Sequence, residues 1–97
     1  MKHRKVVLIT GGARGIGHGI AVTLAGHCDI VIGDIHDAHA VEAAMEMLRS
    51  HGARVLYCRA DVSSAADRAR MIEDIRREFG ALHVLVNNAG VAPSVRA

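Results

Sequence analysis

A chain of 97 residues with 51% hydrophobic side chains has room for one core and the composition to form it. Twelve Lys and Arg against ten Asp and Glu leave a net charge of +2, while one Phe, one Tyr and no Trp supply little aromatic surface. Without a basic block or a stacking platform, the composition argues against a nucleic-acid-binding role. Cys28 and Cys58 are too few for a disulfide framework, and their spacing fits no zinc motif. Met1-Lys2-His3-Arg4-Lys5 has the charge of a signal n-region, but the apolar run Val6 to Ile9 is too short for an h-region. No stretch approaches a membrane span, so a soluble, cytoplasmic protein is expected.

Val6-Val7-Leu8-Ile9 is continuously apolar, which reads as a parallel strand buried on both faces. Thr10-Gly11-Gly12-Ala13-Arg14-Gly15-Ile16-Gly17 interrupts it, and a helix with Ile16, Ile20 and Leu24 on one face follows. Ile30-Val31-Ile32 is a second strand, ended by Gly33-Asp34. Val41, Ala44, Met45 and Leu48 then mark an amphipathic helix closed by Gly52. Val55 to Cys58 is a third strand, finishing at Asp61-Val62. Ser63 or Ser64 caps a third helix with the stripe Met71, Ile72, Ile75 and Phe79, and Gly80 ends it. Leu82 to Val86 is a fourth strand, leading into Asn87-Asn88-Ala89-Gly90. Helix-length crossovers between successive strands imply a parallel α/β sheet, and right-handed connections give it the order 3-2-1-4.

The glycine-rich turn meets neither the strict G-x-G-x-x-G fingerprint nor the P-loop, where His18-Gly19 stand in place of Lys-Ser/Thr. Its position between a buried strand and a helix still points to phosphate. Glycine permits tight turning and close backbone approach, and the helix start offers unpaired N–H groups and a positive dipole.

Thr10, Gly11, Gly15 and Gly17 spell Thr-Gly-x-x-x-Gly-x-Gly, and Asp34, Asp61-Val62 and Asn87-Asn88-Ala89-Gly90 follow at successive strand ends. In these four motifs the chain resembles the N-terminal half of the short-chain dehydrogenase/reductase family. The resemblance implies that residues 1–97 are the N-terminal part of an NAD(P)-binding, doubly wound Rossmann domain. It places Gly11, Arg14, Gly15, Ile16 and Gly17 around the pyrophosphate, and Asp34 on the adenosine ribose. Asp61 and Val62 then contact adenine, and Asn87 braces the sheet. Asn88 and Gly90 run along the ribose and nicotinamide. Asp61 also suits a cap for the third helix, so two roles stand open for it. A carboxylate at position 34 accepts from ribose hydroxyls and repels a 2′-phosphate, whereas Arg14 favours one. No basic residue immediately follows Asp34, so NAD is expected over NADP. His36-x-x-His39 lacks a third metal ligand and reads as solvated histidines at a helix start.

The family's chemistry is hydride transfer between nicotinamide and an alcohol or carbonyl carbon, run by a Tyr-x-x-x-Lys pair with a serine and an asparagine. Here the only tyrosine is Tyr57 and the only lysines are Lys2 and Lys5, so these 97 residues contain no such pair. The expectation is the cofactor-binding portion of an oxidoreductase without its catalytic half; the alternative is a non-catalytic nucleotide-binding or interaction module. The fourth strand, apolar and without charge or proline before Asn87, is expected to leave a sheet edge open to self-association or to a partner chain.

Overall fold

In the computed structural model, which describes residues 4–88, seven elements alternate along the chain. They are β1 (Lys5–Thr10), α1 (Gly15–Leu24), β2 (Cys28–Asp34), α2 (Ala38–Ser50), β3 (Val55–Arg59), α3 (Ala65–Phe79) and β4 (Val84–Asn87). The strands form one parallel sheet in the order β3-β2-β1-β4. This is the doubly wound arrangement expected from the crossovers. Register carries the consequence for function: Thr10 lies between Gly33 of β2 and Asn87 of β4, and Asp34 lies beside Arg59 of β3. The motif residues therefore share one rim.

Alternate side chains of the two central strands face opposite layers. Val7, Ile9, Ile30 and Ile32 pack with Val41, Met45 and Leu48 of α2 and with Ala21 of α1. Val6, Leu8 and Val31 pack with Met71 and Ile75 of α3. One helix must thus cover the second face of the sheet. Gly33 lets that helix come close, since a Cβ there would lie 2.8 Å from Met71 Sδ.

Two helix faces differ from the sequence expectation. Ile16 is 78% exposed, and α1 buries Gly17 and Ala21 instead. Small residues on that line let the helix backbone approach the sheet, which rotates Ile16 outward. In α3, Met71 and Ile75 are buried but Ile72 is 44% exposed, because nothing among the described residues packs beyond it. The helix ends follow ordinary chemistry: Ser64 Oγ accepts from Asp67 N–H at 3.1 Å, and Gly80 closes α3 in the left-handed region at φ 79°. β4 begins at Val84 rather than Leu82, because at His83 the ring, not a backbone carbonyl, takes the Val6 N–H and the regular ladder stops. Val6 N–H donates to His83 Nδ1, and His83 N–H donates to the Val6 carbonyl, both at 2.9 Å. Among the described residues β4 is an edge strand, with Val84 and Leu85 exposed.

The far rim is tied by one ion pair that sequence patterning does not announce. Arg4 donates to Asp29 Oδ1 at 3.1 Å, to the Ala25 carbonyl at 2.9 Å and to the Cys28 carbonyl at 2.8 Å. Asp29, buried in β2, also accepts from Arg54 N–H at 2.9 Å. The end of α1, the start of β2 and the approach to β3 are thereby fastened together. Cys28 and Cys58 are free: Cys58 is level with Gly33, at the opposite end of β2 from Cys28. Burial, with Asp74 adding to it, pushes the Cys58 thiol up to about 11. Among the described residues no helix is long and apolar enough to cross a membrane.

Replacing Asp29 tests the tie. Asp29→Ala leaves a buried N–H and part of a guanidinium unpaired, which costs on the order of 2 kcal/mol. For a domain of this size the Tm should fall by about 10 °C. Asp29→Asn, which still accepts from Arg54 N–H, should lose about half as much in urea or thermal denaturation.

Candidate functional site

The turn joining β1 to α1 is built on glycines whose need is geometric. Gly11 and Gly15 have φ of 68° and 59°, in the left-handed region that disfavours a side chain. Gly17 is helical, but a Cβ on it would collide with the Gly11 carbonyl oxygen and lie 2.7 Å from Asn88 Nδ2. Gly12 was not part of the expected signature, yet a Cβ there would lie 2.7 Å from Ile32 Cδ1. Only the Gly-Gly doublet hinted at it in the sequence.

The end of β4 braces this turn. Asn88 Nδ2 donates to the Gly11 carbonyl at 3.1 Å, and Asn88 N–H donates to Thr10 Oγ1 at 3.0 Å. Thr10 Oγ1 is also 3.2 Å from Asn87 Oδ1, to which it donates. Asn88 thus supports the glycine turn from beneath as well as standing at the rim. Gly90 lies outside the described residues.

Asp34 braces the turn from the other side. Its Oδ2 accepts from Ala13 N–H at 3.1 Å and its Oδ1 from Ile35 N–H at 2.8 Å. Each carboxylate oxygen retains a further acceptor position. The first turn of α1 carries no side-chain cap and no acidic residue. Its leading N–H groups have no partner within the helix, and the helix dipole adds positive potential there. Around the outer side of Gly15 there is open space, with no heavy atom within 4 Å of a Cβ position. The donors of this helix start suit an anion, and Asp34 beside them suits hydroxyl groups.

His36, read as a solvated histidine at a helix start, instead meets Arg14. Arg14 Nη2 lies 2.5 Å from His36 Nε2, and that ring nitrogen is 3.8 Å from Asp34 Oδ1. Tyr57 fixes the turn carrying His36 by donating to the His36 carbonyl. Burial first, and the Asp34 carboxylate second, hold the Tyr57 phenol above its usual range, so it remains a donor. Arg59 completes the frame through the Ile35 carbonyl at 3.2 Å and the Asp37 carboxylate. Among the described residues no group of three or more His, Cys, Asp or Glu is placed to hold a metal ion.

Asp61 and Val62 separate onto two clefts. Asp61 lines one of about 320 Å³ with Ile35, Arg59 and Arg70, beside Asp34. Val62 lines one of about 220 Å³ with Leu8, Met71, Ile72 and Leu85, between α3 and β4. The cap of α3 is Ser64, while Asp61 Oδ1 accepts from the N–H and hydroxyl of Ser63 at 2.9 and 2.7 Å. Those bonds hold the Asp61 carboxyl below the usual carboxylate range.

Known proteins share this fold. The chain is 40% identical over 88 residues to a 3-beta-hydroxysteroid dehydrogenase of Comamonas testosteroni, covering 90% of this chain and 33% of that protein. It is 38% identical over 87 residues to a 3-oxoacyl-(acyl-carrier-protein) reductase of Escherichia coli, covering 90% of this chain and 34% of that one. The crystal structure of a 3-oxoacyl-(acyl-carrier-protein) reductase from Brucella melitensis in complex with NAD superposes with a TM-score of 0.86 at 35% identity, over all of this chain and 38% of that one. The chain therefore spans about a third of the length of the curated relatives it matches. A model of the short chain dehydrogenase family matches residues 5–97: the chain belongs to the short chain dehydrogenase family.

Proposed function

We propose that this chain is the dinucleotide-binding portion of an oxidoreductase that moves hydride between a nicotinamide and an alcohol or carbonyl carbon. The observation that carries the reading is the junction of the glycine turn with Asp34, where Ala13 N–H meets the carboxylate at 3.1 Å. One face of that junction offers N–H donors and the other a carboxylate, the pair of chemistries that a pyrophosphate and a ribose diol require. Gly11, Gly15, Ile16 and Gly17 would seat the pyrophosphate, with Arg14 adding positive charge. Asp34 would accept from the ribose hydroxyls and disfavour a 2′-phosphate, which makes NAD the preferred cofactor over NADP near neutral pH. The cleft beside Ile35 and Asp61 would take the adenine. When bound, the nicotinamide supplies the hydride chemistry. The chain's own part is to bind and orient, because these 97 residues include no Tyr-x-x-x-Lys pair. A cytoplasmic location belongs to the same reading. The competing reading, a nucleotide-binding module with no catalytic role, is separated from it by whether the coding sequence downstream encodes Tyr-x-x-x-Lys.

The partner half of the proposal concerns β4. Its outer backbone groups face no strand among the described residues; Leu85 and Ile72 are exposed on the α3 face beside it, and Val84 is exposed on the opposite face. Four residues without lysine, proline or a bulge are an open pairing edge. The expected occupant is a second copy of this chain, or a chain carrying the rest of the fold.

Three measurements check these readings. Calorimetric titration near neutral pH should give tighter binding of NAD than of NADP, and Asp34→Ala should narrow the gap; tighter NADP binding by the unaltered chain would refute the preference. Gly17→Ala, which drives a methyl into the Gly11 carbonyl, should abolish binding of either. Gly19→Ala meets open space, so it should leave affinity unchanged while adding about 0.5–1 kcal/mol of helix stability. Sedimentation over a concentration series should show association that Leu85→Lys reverses; a monomer throughout would rule out pairing through the edge.

A further inference from the structure

The rim holds a titratable group that the cofactor reading leaves without a task. His36 sits between opposite charges, with Arg14 Nη2 at 2.5 Å from Nε2 and 3.3 Å from Nδ1, and Asp34 Oδ1 at 3.8 Å from Nε2. Arginine is always charged and can only donate, so a guanidinium this close to both ring nitrogens suits a ring that keeps one of them bare, in either tautomer. A second positive charge on the ring would oppose the contact. The backbone of His36 cannot easily drift away, because Tyr57 holds its carbonyl and Arg59 holds the carbonyl of Ile35. Arg14, His36 and the first turns of α2 line a cleft of about 180 Å³ next to Asp34.

We propose that His36 controls, through its proton, whether the ribose end of this site accepts a 2′-phosphate. The proposal rests on the dinucleotide-binding reading and adds a condition to its preference for NAD. With His36 neutral, the Arg14 guanidinium is engaged by the imidazole and the Asp34 carboxylate stands unopposed, so a phosphate meets net repulsion. Adding a proton to the ring removes the acceptor that holds Arg14. The imidazolium then repels the guanidinium and turns to Asp34 Oδ1, already 3.8 Å away. Both changes favour a phosphate: the carboxylate is neutralised by a partner, and a planar donor fork is released for bidentate recognition. The other charged groups around the turn do not reverse this. Asp37 and Arg59 pair with each other, and His39 in the first turn of α2 can only add positive charge. An unphosphorylated ribose gains nothing from the proton.

The test uses the whole chain and two probes, NAD and NADP, titrated calorimetrically from about pH 8 to about pH 5.5, the range in which imidazole changes charge. A phosphate monoester itself loses negative charge near pH 6, which alone weakens NADP binding as pH falls. The proposal therefore requires a trend of opposite sign. The ratio of the NADP to the NAD dissociation constant should fall about tenfold on acidification, the factor that one charge-assisted hydrogen bond is worth. In His36→Gln, which keeps an acceptor for Arg14 but cannot titrate, the ratio should stay level or rise. Arg14→Ala should also abolish the fall. A flat or rising ratio in the unaltered chain, or the same fall in His36→Gln, overturns the proposal while leaving NAD binding intact. Absence of binding by both nucleotides to folded chain overturns the cofactor reading, and this proposal with it.

Discussion

The rim of this molecule depends on one close approach, the seating of Gly17 against the Gly11 carbonyl. That contact brings the first turn of α1 down onto the end of β1, and a single methyl group would prevent it. Because the Gly11 carbonyl also accepts from Asn88 Nδ2, the same point joins the end of β4 to the turn. Asp34 grips Ala13 N–H from the side of β2. Three strand ends thus converge on a turn of a few residues, and the direction in which the leading N–H groups of α1 point is set by that convergence. Side chains here position backbone, and the backbone presents the chemistry.

Much of this could be read from the residues because it is local or periodic. Continuous apolar runs without in-and-out alternation marked β1 and β2 as buried central strands, and four apolar runs separated by helix-length segments left one sheet order, with β3 and β4 at its edges. The glycines at positive φ and the strand-end acid were legible because their spacing is set by a strand, a turn and a helix in succession. What escaped was set by neighbours distant in sequence. Gly12 and Gly33 make room for the side-chain ends of Ile32 and Met71, which no local pattern connects to them. Ile16 fitted a helical stripe that the small residues Gly17 and Ala21 displace. Arg4 looked like part of a basic N-terminus, and its partner Asp29 lies 25 residues later in the chain. His36 looked solvated because its partner Arg14 lies 22 residues earlier in the chain.

The two faces of the sheet are unequally served. α1 and α2 share one face, whose buried cluster takes in Ala13, Ala25 and Ala53 as well as the branched side chains of β1 and β2. Among the described residues α3 alone meets the other, and Ile72, Leu82 and Leu85 remain exposed around it. The inequality follows from topology, since the chain crosses to the second face only after β3 and describes a single helix there. The glycine turn, Asp34 and His36 owe little to that second layer. Their supports come from β1, β2, β3 and the last residue of the described chain. Binding geometry and surface coverage are therefore separable properties of this chain.

Tyr57 has a consequence beyond holding a loop. With no Trp and a single Tyr in the chain, this phenol is its sole strong intrinsic fluorophore. Its hydroxyl is bonded to the carbonyl of His36, and the Asp34 carboxylate is close enough to perturb it. Emission from the unlabelled protein consequently comes chiefly from one known place, the Asp34 side of the rim. Any rearrangement of the 35–37 turn is written into the light the molecule gives off.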